Sequence, residues 1–560
     1  MSQDARRPTQ TDQAYSKDAL IARSRERAKR LVEDDPLLAQ LSYSRESVEA
    51  FRACPSAIEC IAKAFELYAE RPCFGERVFE ANEGDGAIRF LPEFRTIRYS
   101  DVWGRVERLA SGLRHEGLVG PGAFVGIVGF GSVDWVVANL SCIYLAAVSA
   151  PLQVGMSQSD LSHIVRTADL TCIVCSAEQL DAIEAVLPQC PSVRGIVIMD
   201  VREGDHLLRA KVARWQRDGA VGAHLTVRTM AEVEERGRSS GIVPKFVPSD
   251  RPGSDPLMSL VYTSGSTGVP KGAMVPESVM HMHWKSLFSR ATQDLEELPR
   301  VTLNYMPLNH LGGWGNIIRS IAGGGLTYFV AKSDMSTLFE DIRLTRPTML
   351  LLVPRVAEMA YQHYLGELVR ATSSMSSTDL EEERKRTGER IMASMRDTFL
   401  GDRLLLVITG TAPTPPEVVS FLERCFEVPV VDGYGSTEAG PLTIDGIADP
   451  SELSWKLVDL PELGYRTSDK PYPRGELHVK SVFTIPGYYK DERATKELFD
   501  EEGYLNTGDI VEQRGPNRLV WIDRAKNVLK LSQGEFVAIS RLEGLFVARS
   551  TFIRQMFVYG

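Results

Sequence analysis

Short β-branched runs alternate with longer amphipathic stretches along most of the chain. FVGIVGF (124–130), CIVCS (172–176), GIVIMD (195–200), MSLVYT (258–263) and RLLLVITG (403–410) are the clearest of these runs. Strands separated by helical patterns mark βαβ units and largely parallel sheets, so an α/β architecture is predicted. No fixed-period repeat overlies it. The Ser-rich TSSMSSTD (372–379), followed by LEEERKRTGERIMASMRD, predicts a loop feeding an exposed charged helix. The most apolar stretch, WVVANLSCIYLAAVSAPL (135–152), is interrupted by Asn139, Ser141 and Ser149. It is too short and too polar to span a bilayer and predicts a buried core helix. From Leu477 the segments shorten. IPGYYK, GYLNTGD and NRLVWIDRAKNVLKLSQGEFV predict β-hairpins closing a barrel-like layer, with a boundary near Asp523 to Lys526.

Composition adds limits rather than direction. With 560 residues, 43% hydrophobic and 25% charged, the chain is average for a globular protein and long enough for several domains. A formal charge of −10 argues against nucleic acid, which is bound through clustered Lys and Arg. The one basic run, RSRERAKR (23–30), leads straight into Glu33, Asp34 and Asp35 and reads as the solvated face of a helix. The first residues, MSQDARRPTQTDQAYSK, lack an apolar segment and are expected to be a disordered lead, not a secretory signal. Among eight cysteines only Cys172 and Cys175 have a metal-like spacing. Positions three apart in a strand point to opposite faces, so reduced, buried thiols of a cytoplasmic protein are expected.

Chemistry enters at YTSGSTGVPKGAM (262–274). Small hydroxyl residues among glycines let the backbone turn tightly and present N–H groups to an anion. Lys271 adds a point charge suited to phosphate. A kinase-type phosphate loop needs Gly-Lys-Ser/Thr, but here Pro270 precedes the lysine and Gly272 follows it. The run instead resembles the phosphate loop of the adenylate-forming superfamily: acyl-CoA synthetases, luciferases and peptide-synthetase adenylation domains. DGYGSTEAG (432–440), YLNTGD (504–509) and DRAKNVLK (523–530) match further segments in that superfamily's order.

The resemblance implies roles. Thr263, Ser264, Gly265, Ser266, Thr267, Gly268 and Lys271 would wrap the β- and γ-phosphates of ATP. Gly410, Thr411 and Ala412 in GTAPTPPE would line the adenine pocket. In Asp432, Gly433, Tyr434, Gly435, Ser436 and Thr437, the tyrosine packs on adenine and Thr437 contacts the α-phosphate. Glu438 would hold Mg²⁺, for which it offers a hard oxygen. Asp509, an acceptor-only side chain, would take the ribose hydroxyls, and Arg524 lies at the hinge beside the nucleotide. In NYMPLNHLGGWGN (304–316), His310 would sit beside the substrate carboxylate, with Leu311, Gly312, Gly313, Trp314 and Gly435 shaping the acid pocket. Thr267, Lys271, His310, Thr437 and Glu438 are thus the expected catalytic set. Positioning and charge neutralisation carry most of such a reaction, because carboxylate is a weak nucleophile.

KLVDLPELGYRTSDKPYPRGELHVKS, PGYYKDERATKELFDEEGYLNTGDIV and NVLKLSQGEFVAISRLEGLF narrow the match. They resemble the adenylation domain of bacterial carboxylic acid reductases, as does RAKRLVEDDPLLAQ near the start. Such enzymes make acyl-AMP, pass the acyl group to a carrier-domain phosphopantetheine thiol, and release an aldehyde through an NADPH-dependent reductase domain. The expected fold is the large core of that domain: two mixed or parallel sheet subdomains flanked by helices plus the barrel-like layer. Residues 1–50 would be a partly disordered lead with a charged helix, 51–522 the core, and 523–560 the hinge and the start of a truncated C-terminal region. Lys526 and Lys530 fall in the hinge that meets the pantetheine arm. The small C-terminal subdomain with its bridging lysine, the carrier domain and the reductase domain are not in this sequence. Binding of ATP, AMP and a small carboxylic acid is therefore expected, with slowed adenylation and no membrane partner. An acyl-CoA synthetase or a ligase loading a separate carrier is the alternative reading. A non-catalytic nucleotide-binding regulator is a further one, against which Thr267, Lys271, Glu438 and Asp509 count.

Overall fold

In a computed structural model of the chain, the described residues are 15–42, 45–81, 88–201, 206–218, 225–246, 255–264, 269–285, 298–373, 380–530 and short stretches between 536 and 558. Four of the apolar runs become neighbours in one seven-stranded sheet. Its order is Thr226–Thr229, Gly195–Met199, Cys172–Ser176, Phe124–Val128, Val148–Leu152, Leu257–Ser264 and Pro270–Pro276. The first six strands are parallel, and the last returns antiparallel as a hairpin. Every residue of Val148–Leu152, Cys172–Ser176 and Gly195–Met199 is buried. Helices cover both faces, which is why these runs lack polar alternation. Cys172 and Cys175 belong to hydrophobic clusters on different sides of the sheet, and all eight cysteines are free and buried.

The apolar stretch 135–152 is not one helix. It divides into the helix Val133–Tyr144 and the strand Val148–Leu152. Ala146 takes the left-handed conformation (φ 54°), while Ala147 N donates to Cys142 O and Ala146 N to Ile143 O. This is a helix stop of the Schellman kind with alanine where glycine is usual, so the residue type gives no warning of it.

A second layer consists of two four-stranded sheets. One runs Val301–Asn304, Leu326–Phe329, Pro72–Ala81, Ile88–Arg98; the other runs Met349–Leu352, Leu406–Gly410, Val430–Ser436, Gly440–Ile444. Thr348 joins them edge to edge: its N–H donates to Val301 O at 2.8 Å and its hydroxyl accepts from Val301 N at 2.9 Å. The C-terminal hairpins form a third layer, the antiparallel sheet Leu453–Val458, Arg474–Ser481, Leu505–Gly515, Arg518–Arg524. Its two outer strands do not pair with each other among the described residues. The layer is an open sheet rather than a barrel, since four strands are about half the number that closes around a filled interior.

The basic run 23–30 lies in the helix Lys17–Asp34, and only part of it is solvated. Leu20, Ser24 and Ala28, four apart, are buried, and Arg27 Nη1 donates to Leu404 O at 3.0 Å. Leu38 and Leu41 in the next helix join the core of the second layer. The charged helix Leu380–Thr398 follows the Ser-rich segment, of which 374–379 lie outside the described residues. No described helix is long and apolar enough to cross a membrane.

One buried ion pair ties the second layer together. Arg77 Nη1 reaches Asp341 Oδ1 at 2.7 Å, with side-chain exposures of 3% and 0%. The other carboxylate oxygen accepts from Ala331 N at 2.9 Å and Thr337 Oγ1 at 2.7 Å. Removing Asp341 would leave the buried Arg77 with only Glu340, a 44% exposed partner at 2.5 Å, and would unpair the Ala331 N–H and the Thr337 hydroxyl. Asp341→Ala is expected to lower the unfolding free energy by about 3–5 kcal/mol. Urea unfolding showing a loss below about 1 kcal/mol, the range of an exposed pair, would reject this.

Candidate functional site

The hairpin of the first sheet carries the glycine loop. Thr263 pairs with Lys271 and Ser264 with Pro270, so 265–268 connect its two strands at the tip. Gly265, Ser266, Thr267 and Gly268 lie outside the described residues. Lys271 is described, and its ammonium lies 5.4 Å from the ring centre of Tyr488. The chain around Tyr488 runs alongside the hairpin. Met274 N donates to Gly487 O at 3.0 Å, Tyr489 N donates to Gly272 O at 2.8 Å, and Ala273 and Tyr488 form a bridge.

Glu438 approaches the same tyrosine from the second layer. It follows the strand Val430–Ser436 in the tight turn before Gly440–Ile444. A Cβ on Gly435 would stand 2.4 Å from Gly440 O, so the two strands close here only around glycine. Ser436 Oγ accepts from Ala439 N at 3.1 Å and shapes the turn that presents Thr437 and Glu438. Tyr488 OH donates to Glu438 Oε1 at 2.8 Å, and Ile485 N donates to Glu438 O at 2.9 Å. A carboxylate, a phenol and an ammonium from three segments thus meet at one point.

Tyr434, two residues before the end of the same strand, meets Asp509. Tyr434 OH donates to Asp509 Oδ2 at 2.7 Å, Trp521 Nε1 donates to Oδ1 at 3.2 Å, and Arg524 Nε lies 3.4 Å from Oδ1. Burial first, then the charge of Asp509, hold the Tyr434 phenol well above its ordinary pKa. Asp509 itself is only 3% exposed. Gly410 and Gly433 are paired across adjacent strands, and Thr411 beyond them holds φ 70°, a strained value for a β-branched residue. Asp432 is pinned from two sides, by Thr409 Oγ1 on its carboxylate at 3.2 Å and by Asp445 Oδ1 on its N–H at 2.9 Å.

His310 caps the helix Leu311–Ala322 without a side-chain hydrogen bond to it. A Cβ on Gly312 would lie 3.5 Å from Thr411 Cγ2, so the start of this helix faces the Gly410–Ala412 turn. Trp314 is turned away into the core, 5.9 Å between ring centres from Trp135. Lys526 is exposed in the short turn Ala525–Asn527, and the Lys530 backbone pairs with Phe536. Sequence reasoning passed over Tyr488 and Trp521. Both stand in strand-like segments, IPGYYK and RLVWID, where an aromatic residue reads as ordinary packing.

The fold and these contacts define a nucleotide-handling α/β enzyme of the adenylate-forming type. The profile of the AMP-binding enzyme family matches residues 76–489, and the chain belongs to that family. It is similar to a carboxylic acid reductase of Segniliparus rugosus, 39% identical over 550 residues, 96% of this chain and 45% of the relative. The chain therefore spans less than half of that relative's length. The crystal structure of the adenylation domain of the carboxylate reductase from Mycobacterium chelonae superposes with a TM-score of 0.89 at 38% identity, covering 96% of this chain and 82% of that one. The reductase A domain from S. rugosus, solved with AMP and a co-purified carboxylic acid, gives 0.87 at 38% identity, over 96% and 84%.

His310 supplies a measurable property of the site. Part of its ring is exposed, yet packing against the remainder withholds water and lowers its pKa below the ordinary histidine value. A depressed histidine contributes stability above its unfolded pKa, about 6.5, and that contribution is lost as pH falls through the folded value. The imidazole is expected to titrate below 6.5 by NMR, and His310→Asn should flatten the acid limb of the stability curve. A midpoint at or above 6.5 would contradict the desolvation.

Proposed function

We propose that this chain is the adenylation core of a carboxylic acid reductase, joining ATP and a carboxylic acid to give acyl-AMP and pyrophosphate. One observation carries the reading. The strand and turn from Val430 to Glu438 place a buried acceptor carboxylate, Asp509, against Tyr434 and a carboxylate–lysine neighbourhood at Glu438. A buried acceptor carboxylate suits a ribose, and a carboxylate with a nearby lysine suits a metal-bound polyphosphate. The similarity to solved reductase adenylation domains supports the same assignment.

Asp509 would accept the ribose hydroxyls, and Tyr434 with the Gly410–Ala412 turn would flank the adenine. Lys271 and the N–H groups of the glycine loop would neutralise the leaving pyrophosphate. Thr437 would donate to the α-phosphate, where charge grows as the acid oxygen attacks phosphorus. His310, kept neutral, would orient the carboxylate without holding it as a tight ion pair. Residues fit for Mg²⁺ are present: Glu438 Oε2 accepts no hydrogen bond among the described residues and is a hard oxygen donor. A magnesium ion bound there with phosphate oxygens would supply charge neutralisation. Transfer of the acyl group to a phosphopantetheine thiol, and its NADPH-dependent reduction, would fall to carrier and reductase domains of a longer polypeptide.

Calorimetry with AMP, with and without a panel of carboxylic acids, tests the reading directly. Acid binding that requires AMP is expected; acyl-CoA formed with free CoA would move the assignment to a synthetase. Asp509→Asn should weaken AMP and ATP alike by roughly 1–3 kcal/mol, the range for a hydrogen bond to a charged group. If 2′,3′-dideoxy-ATP binds the wild-type chain as tightly as ATP, the ribose role fails. Glu438→Ala should weaken MgATP far more than AMP. Equal losses for the two nucleotides would remove the metal-ligand role.

A further inference from the structure

Tyr488 stands between two groups of opposite charge. Its hydroxyl donates to Glu438 Oε1 at 2.8 Å, and its ring centre lies 5.4 Å from the Lys271 ammonium. The latter distance is within the range at which a cation is drawn to an aromatic face. The hydroxyl serves the carboxylate as a donor. Buried tyrosine hydroxyls ordinarily find a partner; here that partner is the carboxylate of Glu438.

The placement of Tyr488 is itself held. Its N–H donates to Thr495 Oγ1 at 2.9 Å, and Thr495 donates to Asp491 O at 2.8 Å. On either side, Gly487 and Tyr489 bond the backbone of the phosphate hairpin. The side chain thus has a rigid base on the hairpin that carries Lys271 and extends to the turn that carries Glu438.

We infer that Tyr488 is a positioning residue that sets Glu438 and Lys271 at a fixed separation, an inference that rests on Glu438 being the metal ligand. Its hydroxyl occupies Oε1 and leaves Oε2 for the cation. Its ring engages Lys271, so the lysine would not compete with a cation for the carboxylate. Tyr488 does not touch the reacting atoms in this account; it acts through its two neighbours.

The two functions of the side chain separate by substitution. Tyr488→Phe deletes only the hydroxyl and keeps the ring under Lys271, whereas Tyr488→Leu deletes both. Calorimetry on the full chain would use three probes: MgATP, ATP with EDTA, and AMP. Tyr488→Phe is expected to lower MgATP affinity about tenfold and leave the other two within about twofold, as fits loss of one charge-assisted bond. Tyr488→Leu should weaken metal-free ATP as well. In a Glu438→Ala background, Tyr488→Phe should have no further effect. Equal losses on all three probes from Tyr488→Phe would show a merely structural residue and overturn the inference. So would wild-type MgATP binding by Tyr488→Phe while Glu438→Ala loses it. If Glu438→Ala itself binds MgATP as the wild type does, the metal reading of Glu438 falls first.

Discussion

A strand buried on both faces has no room for polar chemistry except at its ends, and the whole site follows from that constraint. Leu257–Ser264 runs into the glycine loop, Leu406–Gly410 into Thr411, Val301–Asn304 into the segment of His310, and Val430–Ser436 into Glu438. In each case the polar residues begin where the parallel strand ceases to be covered. These ends meet through particular contacts: Gly312 faces Thr411, and Tyr488 reaches both Lys271 and Glu438. The antiparallel layer contributes Asp509, and the connection after its strand Arg474–Ser481 contributes Tyr488.

Joining these layers is mainly a backbone matter. The two hydrogen bonds between Gly487–Tyr489 and Gly272–Met274 place the third layer against the first as if one more short strand were added to the hairpin. Thr348 does the same for the two halves of the second layer. Backbone bonds of this kind fix register, because a slip of one residue would turn Tyr488 to the opposite face. Lys17 extends the pattern to the N-terminal helix. It donates to Val430 O at 2.6 Å and pairs with Asp445 at 2.6 Å, the same aspartate that holds the N–H of Asp432.

Much of this was legible in the sequence, for a physical reason. Buried parallel strands must be continuous apolar runs, so 124–130, 172–176, 195–200, 258–263 and 403–410 announced themselves, and the motif residues sit where those runs end. The failures share a cause too: each depends on contacts that local pattern does not encode. The stretch 135–152 divides at an alanine held left-handed by the packing of its neighbours. In and beside the run 23–30, Leu20, Ser24 and Ala28 are buried, with Ala28 packed in one cluster with Met349, Leu406 and Val431 of the sheet beneath. Hairpin signals after Leu477 were correct, but whether hairpins close into a barrel depends on strand number and tilt. Tyr488 and Trp521 acquire meaning only when a distant carboxylate is brought to them.

The crowding of Asp509 bears on where nucleotide affinity would reside. A carboxylate has about four acceptor positions, and three donors already address this one. Two ribose hydroxyls would therefore exchange partners with Tyr434, Trp521 or Arg524 more than they would add bonds. Exchanged hydrogen bonds contribute only a modest net free energy. On the proposed reading, Lys271, Glu438 and the glycine loop would supply attraction that falls away once pyrophosphate leaves. AMP or an acyl-AMP would then keep only the contacts to its nucleoside and α-phosphate, a weaker grip suited to an intermediate that must be passed on.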